Sequence, residues 1–472
     1  MKYYSSPDLY RTGSVLYHSL KDGSIRTVST GVADFTSSSD RSTLILKKEK
    51  NTLFVADIRE TPESGNFKLT EKDLDLSRIK VRVDPAKEWK IIFSEAWKLA
   101  AENYWNEKKA AEIGDEIYRK YEPLTGTIST RFELSEIIRE MQGEFGTSHS
   151  YEMGGDLCER EEFPVGKLGA DLICKHGEYT VQRIYRGDPS NENEKSPLLT
   201  GTSVVNEGDV ILSIDGVKTG HAVSPGKILH NRYDTPVKLE IKQKDGSVRS
   251  AFVSPVRDDR YIRYRSWVEE KRDYVHKKSN GRVGYLHIPD MGLNGFSEFF
   301  RLYGVEAERE GLIVDVRYNG GGSVSQILLE KLQRKRLGYD IPRRGNMHPY
   351  PADSVNGPIV AITNESAGSD GDIFSHAFKL LNIGPVIGTR TWGGVVGISP
   401  RRKLVDGTTV TQPEFALWFG DVGFNIENHG TDPEIVEYMP HDYYNGRDPQ
   451  LEEALKRTMK LLREKGHVLD FR

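Results

Sequence analysis

The sequence predicts a multidomain α/β chain, on three observations. Its 472 residues exceed what one hydrophobic core ordinarily serves. From about residue 268 onward, short apolar, β-rich runs alternate with stretches of helical period. Ahead of them lie a β-rich start, a helical stretch and a second β-rich stretch. Four regions are therefore expected: 1–80, 81–162, 163–256 and 257–472.

Composition narrows the function classes. Hydrophobic residues make up 37% and charged residues 29%, the balance of a soluble globular protein. With 66 basic and 70 acidic residues the net charge is −4, which calls for neither nucleic acid nor an anionic membrane surface. No run of apolar residues is long enough to span a bilayer. The opening MKYYSSPDLYRTGS lacks the apolar stretch of a signal peptide. Cys158 and Cys174 make neither a disulfide framework nor a zinc set. No metal or other cofactor is expected, and a reducing, cytoplasmic setting is the simplest reading.

Residues 1–80 read as short strands and turns: SVLYHSL, KDGS, IRTVST, STLILKK, TLFVADI. The Asp-Gly turn and the alternation suggest meander hairpins. The segment looks like one or two blades of a β-propeller, a remnant that cannot close a propeller alone because its edges stay unpaired. Near VDPAKEW the period changes. Trp89, Ile92, Phe93, Ala96, Trp97 and Ala100 form an apolar stripe at helical spacing. A second helix starts at Thr130, with Glu133 completing a capping box and Leu134, Ile137, Ile138 and Met141 following. The loop GTSHSYEMGG comes directly after this helical cap.

Residues 163–256 form a separate β unit that resembles a PDZ domain. The resemblance rests on Leu168-Gly169-Ala170 as the carboxylate-binding loop and on GDVILSIDG. Such a unit either adds a peptide strand to its sheet edge or only braces the fold. Beyond it, GRVGYLHI, GLIVDVRY, PIVAIT and GPVIGT are buried-strand runs. FSEFFRLYGVEAERE and VSQILLEKLQRK are helical between them, giving a layered α/β core with crossover connections.

Two stretches of that core could carry chemistry. In VDVRYNGGGSVSQ a strand runs into Gly320, Gly321 and Gly322 and then a helix. Glycines let backbone approach a ligand, and a helix N-terminus favours negative charge, so the turn suits a phosphate, a carboxylate or an oxyanion. A plain tight turn fits equally. In PIVAITNESAGSDGDIFSHAFK, Ser369 stands at a strand-to-helix turn where free amides gather. It is either an N-cap or a nucleophile, with the Asp370 amide facing the oxyanion. The pattern is not the Gly-x-Ser-x-Gly elbow. A serine nucleophile needs a base. His376 lies two turns into the helix, His429 sits in ENHGTDP, and His149 is far off in sequence, which is no obstacle.

Taken together, GEFGTSHSYEMGG, GYLHIPDMG, GLIVDVRYNGGGSVSQ, NESAGSDGDIF and IENHGTDPEI resemble the tricorn protease family of cytosolic serine peptidases, over about residues 65 to 460 and in the same order. The resemblance implies a crotonase-like layered catalytic core. It implies Ser369 as nucleophile, His149 as base, and Ser148 and Glu427 completing a tetrad. The oxyanion hole would use the amide of Asp370 and that of Gly321 or Gly322. Asp340, in LGYDIPRR, matches the family's acidic specificity residue, supplied there by a neighbouring subunit and favouring Lys or Arg before the cut, with hydrophobic residues as an alternative. The segment Gly397-Ile398-Ser399-Pro400 would pair with a substrate strand. Peptide substrates, a homo-oligomer (a hexamer) and downstream aminopeptidases are implied as partners. The related tail-specific peptidases use a Ser-Lys dyad, but glycine stands at position 394 where that lysine would be. The largest departure is at the start: the family carries two propellers where this chain has 60–80 blade-like residues, as in a short homologue or a fragment. The readings that compete with a serine endopeptidase are an inactive peptide-binding scaffold and a Ser-Lys peptidase.

Overall fold

The computed structural model describes residues 13–18, 20, 22–40, 42–48, 52–60, 67–76, 78–157, 162–188, 190–191, 194–200, 205–399 and 402–465. Cys158 and Pro400 lie outside them. The chain divides into two units, residues 1–85 and 86–472.

The first unit is one antiparallel sheet in simple sequence order: β1 (Gly13–His18), β2 (Ile25–Ser37), β3 (Thr43–Lys48), β4 (Leu53–Glu60) and β5 (Phe67–Asp73). Alternation puts Val15, Val28, Val32, Leu44, Leu46 and Ala56 in its buried cluster. The Asp-Gly turn between β1 and β2 has Gly23 at φ 71°, where the missing Cβ costs nothing.

The second unit opens with three helices, α1 (Pro85–Asn103), α2 (Glu107–Tyr121) and α3 (Arg131–Glu144). The capping box expected at Thr130 and Glu133 is formed. Ile92, Phe93, Ala96, Ile117, Leu134, Ile138 and Met141 pack into one core, which Leu404 and Val410 complete from far along the chain. After β6 (Glu152–Met153) comes a sheet of β7 (Ala170–Lys175), β8 (Glu178–Ile184), β9 (Val210–Ile214), β10 (Val217–Lys218), β11 (Val237–Lys242) and β12 (Val248–Val253), with the short α4 (Pro225–Ile228). Its order is β12-β11-β9-β8-β7, so β7 is an edge.

The rest alternates helix and strand. In chain order these are α5 (Arg260–Lys278), β13 (Val283–His287), α6 (Leu293–Glu306), β14 (Gly311–Asp315), α7 (Ser325–Leu332), the hairpin β15 (Gly338–Asp340) and β16 (His348–Tyr350), β17 (Ile359–Thr363), α8 (Asp370–Leu380), β18 (Val386–Gly388), β19 (Gly397–Ser399), β20 (Thr409–Val410), β21 (Gln412–Phe415), β22 (Glu434–Ile435), α9 (Pro440–Tyr444) and α10 (Pro449–Lys465). Strands β13-β14-β17-β18-β22 lie side by side in that order, all parallel. Because the sheet grows in one direction, crossovers of one hand put their helices on one face. Phe299 of α6, Leu328 of α7 and Phe374 of α8 accordingly share a core with Leu286, Leu312, Val314 and Ala361. The alternate residues, Tyr285, Ile313, Val360, Ile362 and Ile387, face Val268 of α5 and Leu451, Ala454 and Leu455 of α10. Both faces are covered, which is why these strands read as continuous apolar runs.

Candidate active site

The carboxyl ends of β14, β17 and β18 deliver three turns to one place, the usual location for a site on a parallel sheet. The first turn carries the glycines. Asn319, fully buried, donates from Nδ2 to the Ile288 carbonyl at 2.8 Å and accepts the Gly321 amide on Oδ1 at 2.9 Å. Its own carbonyl accepts the Gly368 amide at 3.0 Å, tying the glycine turn to the serine turn. Asn364 adds a second stitch, accepting the Tyr318 amide at 2.9 Å. Beneath lies Arg317, buried between Asp315 and Asp448 at 2.7 and 2.9 Å.

Ser369 sits at the N-cap of α8 with φ 56° and ψ −122°, a conformation side chains rarely adopt and one that marks strained functional turns. It caps nothing with its side chain, and among the described residues its hydroxyl has no hydrogen-bond partner. The N-cap alternative for its hydroxyl therefore lacks its bond. A Cβ added to Gly321 (φ 80°) would stand 2.5 Å from the Ser369 Cβ and 2.9 Å from the Gly368 carbonyl. Only glycine lets this turn approach the serine so closely.

The glycine amides differ from expectation. Gly320 donates to the Pro289 carbonyl at 3.1 Å, and Gly321 is spent on Asn319. Gly322 and Asp370 keep amides with no partner among the described residues, Asp370 because it opens α8, whose first amides have no helical acceptor. The Asp370 side chain is occupied elsewhere, accepting the Ser325 amide at 3.0 Å and its hydroxyl at 2.5 Å.

His149 comes from the other side, on the loop after α3. Its backbone (φ 57°) is stitched to the strand end beyond β20: Thr411 donates its hydroxyl to the His149 carbonyl at 2.5 Å and accepts the Tyr151 amide at 2.8 Å. The pair β6–β20 continues this seam. Arg131, buried, anchors it further by bonding Asp406, Glu152 and Thr408 at 2.7–2.9 Å.

The ring of His149 heads a relay. Nδ1 lies 2.9 Å from the Ser148 Oγ, which donates to Glu427 Oε2 at 3.0 Å. Glu427 also accepts the Ser148 amide at 2.6 Å and the amides of Val395 and Val396 at 2.7 and 3.0 Å. A carboxylate can only accept, so the single Ser148 hydrogen goes to Glu427. Ser148 Oγ can then only accept from the imidazole, which assigns the proton to Nδ1 and leaves the Nε2 lone pair free. Burial pushes the His149 pKa below its ordinary value, partly offset by the charge of Glu427.

The other two candidate histidines are engaged. His376 Nε2 lies 3.2 Å from Asp421, and His429 Nε2 lies 2.9 Å from Asp432. At the position of the Ser-Lys lysine, Gly394 sits under an indole: a Cβ there would meet Trp392 at 2.3 Å. Asp340, expected as a buried carboxylate, ends β15 exposed and opposite His348, and among the described residues it forms no ion pair. Within one chain nothing covers it. Ile398 and Ser399 lie in β19, which pairs with β21 on one side only.

The family model Peptidase family S41 matches residues 282–437, the stretch of parallel-sheet core that carries the glycine turn, the serine turn and Glu427. Models for the Tricorn protease PDZ domain and the Tricorn protease C1 domain match residues 166–258 and 85–143. The Tricorn protease of Thermoplasma volcanium is 48% identical over 95% of this chain and 43% of its own length. That of Thermoplasma acidophilum is 47% identical over 96% and 42%. A solved structure, the crystal structure of the tricorn protease, superposes with a TM-score of 0.90 at 46% identity, covering 96% of this chain and 44% of that one. The chain belongs to the tricorn protease family. It spans less than half the length of these relatives.

Sequence reasoning missed Asn319, Asn364, Thr411 and Asp372 as parts of the site. Asparagine at the end of each of two buried strands was a usable signal, since a buried amide side chain needs partners. Thr411 and Asp372 carried none.

Proposed function

We propose that the chain is a serine endopeptidase of tricorn type acting on peptides. Ser369 attacks the scissile carbonyl while His149 Nε2 takes its proton, and His149 then returns that proton to the leaving amine. Water resolves the acyl-enzyme by the same steps. The observation that carries this reading is the relay Glu427–Ser148–His149, which leaves Nε2 unprotonated and without a partner among the described residues; the Ser369 hydroxyl is likewise free of other bonds there. Ser148 and Glu427 hold the ring's tautomer and stabilise the imidazolium. The amides of Asp370 and Gly322 are the donors left for the oxyanion, each worth roughly 2.7–4 kcal/mol of barrier.

Substrate would lie along the open edge of β19, at Ile398 and Ser399 and onward to Pro400. Asp340, exposed on its hairpin, suits delivery to a neighbouring copy, where it would select Lys or Arg before the cut. A homo-oligomer, a hexamer in the family's manner, follows from that delivery. A cytoplasmic setting and aminopeptidases that consume the products complete the reading. The edge strand β7 leaves the PDZ domain free to add a peptide strand.

A fluorophosphonate probe tests the chemistry. Mass spectrometry should place the label on Ser369, and His149→Ala should abolish it. Folded wild type that takes no label would put the scaffold reading ahead. A preference for Lys or Arg that survives Asp340→Ala would remove the specificity assignment.

A further inference from the structure

We propose that Asp372 is a positioning residue of this site: buried on α8 beside Ser369, it grips the strap of residues 391–396 and thereby holds the Trp392 indole against His149. The inference rests on Ser369 and His149 as nucleophile and base.

Four consecutive amides of the strap are divided between two carboxylates. Asp372 accepts Gly393 at 2.8 Å and Gly394 at 3.4 Å; Glu427 accepts Val395 at 2.7 Å and Val396 at 3.0 Å. One carboxylate stands on the helix that carries the nucleophile. The other ends the relay that orients the base. The strap therefore ties the two halves of the site together through bonds of fixed length.

The Thr391 hydroxyl and the Ser369 amide also favour the ionised form of the Asp372 carboxyl, against its burial. Its own carbonyl accepts the Thr431 hydroxyl at 3.2 Å. Thr391 in turn accepts the Thr431 amide at 2.7 Å, closing the start of the strap onto the loop that follows Glu427.

Trp392 is the side chain the strap presents. Its amide donates to the Ala367 carbonyl at 3.0 Å. Its ring fits between two glycines: a Cβ on Gly368 or Gly394 would meet it at 2.7 or 2.3 Å. The ring stands edge-on to His149, with centroids 5.2 Å apart and an interplanar angle of 78°. The indole thus spans from the residue before the nucleophile to the base.

An acidic residue in the first turn of a helix ordinarily serves the helix end from an exposed position. Asp372 is fully buried, and burial holds its carboxyl up at about 6. A helix cap needs no such burial; the strap amides do, because they lie inside. The titratable groups facing the strap are Asp372 from α8, Glu427 from the loop before β22, and His149 from the base loop, whose ring also meets Tyr151.

The test is the rate of Ser369 labelling by a fluorophosphonate across pH, for wild type, Asp372→Asn and Trp392→Phe. Asparagine keeps the size of the side chain but replaces one accepting oxygen with a donor. Folded Asp372→Asn should label about 10²-fold more slowly, the scale of a small misplacement of reacting groups. The acid limb of the wild-type rate should steepen to two protons, one each for Asp372 and His149, and fall to one proton in Asp372→Asn. Trp392→Phe, a milder change, should label at least several-fold more slowly, with its His149 limb moved up in pH as the ring is uncovered. A folded Asp372→Asn with wild-type rate and a two-proton limb overturns the proposal. If Asp372→Asn fails to fold, Trp392→Phe at the wild-type rate and limb overturns it instead. Wild type without label at Ser369 refutes the nucleophile assignment itself, a different failure, and this proposal falls with it.

Discussion

The two arms of the site are built in opposite ways. The arm of the proposed nucleophile is local: a buried strand, a turn and a helix place Ser369 within one continuous run of chain, and its strained backbone follows from that turn. The arm of the proposed base is remote. His149 hangs on a loop of the helical cap, and the bonds that hold it reach residues about 260–280 positions away, at Thr411, Glu427 and Asn428. One arm takes its geometry from secondary structure and close backbone packing, the other from hydrogen bonds across a seam. The first should fail by steric intrusion and the second by loss of a single polar partner.

The largest effect comes from removing either reacting group. Ser369→Ala and His149→Ala should each lower kcat/KM on a cleavable peptide by about 10⁴–10⁶-fold, and the double variant should lose little more, since they act as a unit. Additive losses would break the pairing of the two arms. Gly321→Ala tests the nucleophile arm alone. The added methyl carbon would stand 2.5 Å from the Ser369 Cβ at a backbone φ of 80°. Activity should fall at least about 10²-fold, in kcat rather than KM, with little change in the His149 ring titration. Undiminished kcat would show that the glycine turn is not set against the serine.

Glu427→Gln tests the base arm alone. Gln can donate to Ser148, which frees the serine hydrogen to bond Nδ1 and puts the imidazole proton on the wrong nitrogen. A direct carboxylate partner of this kind is worth about 10⁴-fold. Acting through a hydroxyl, and losing amide bonds to residues 395 and 396 as well, the change here should cost about 10²–10³-fold in kcat. Retained kcat would mean that the relay does not set the tautomer. Thr411→Val is gentler: it deletes the bond to the His149 carbonyl and the acceptor of the Tyr151 amide without changing shape. A few degrees of melting temperature and about tenfold in kcat should go together, since one hydrogen bond is worth about 1 kcal/mol.

The same contrast governs what could be read in advance. Buried parallel strands announce themselves as runs such as GLIVD and IVAIT, and the capping box at Thr130 announces α3. The serine and glycine turns were therefore visible as strand ends followed by small residues. Helix α5 left no such trace because it carries charge all round; its buried Arg265 is neutralised by Glu298, a partner no periodicity reveals. The cap core was legible only up to α3, since Leu404 and Val410 enter it from beyond the sheet. His149 was a polar loop residue until a resemblance named it, and Asp340 remains a surface aspartate in a single chain. Sequence carries local geometry well and long-range hydrogen bonds hardly at all.

The smallest effect is the sharpest comparison of the forces on the base. Burial lowers the His149 pKa from 6.5, and Glu427 opposes the shift. The ring resonance of His149, assigned by its loss in His149→Gln, should titrate below pH 6.5 in the Ser369→Ala protein. Glu427→Gln removes the opposing charge and should move that titration further down; Trp392→Phe relieves burial and should move it up. Because the folded value is depressed, the neutral ring contributes stability that is fully present above the unfolded value. That stability is lost as pH falls through the folded one. Melting curves of wild type and His149→Gln should therefore draw together on acidification. A titration that rises in Glu427→Gln would mean that the carboxylate does not act on the ring as a charge, and that the relay works through orientation alone.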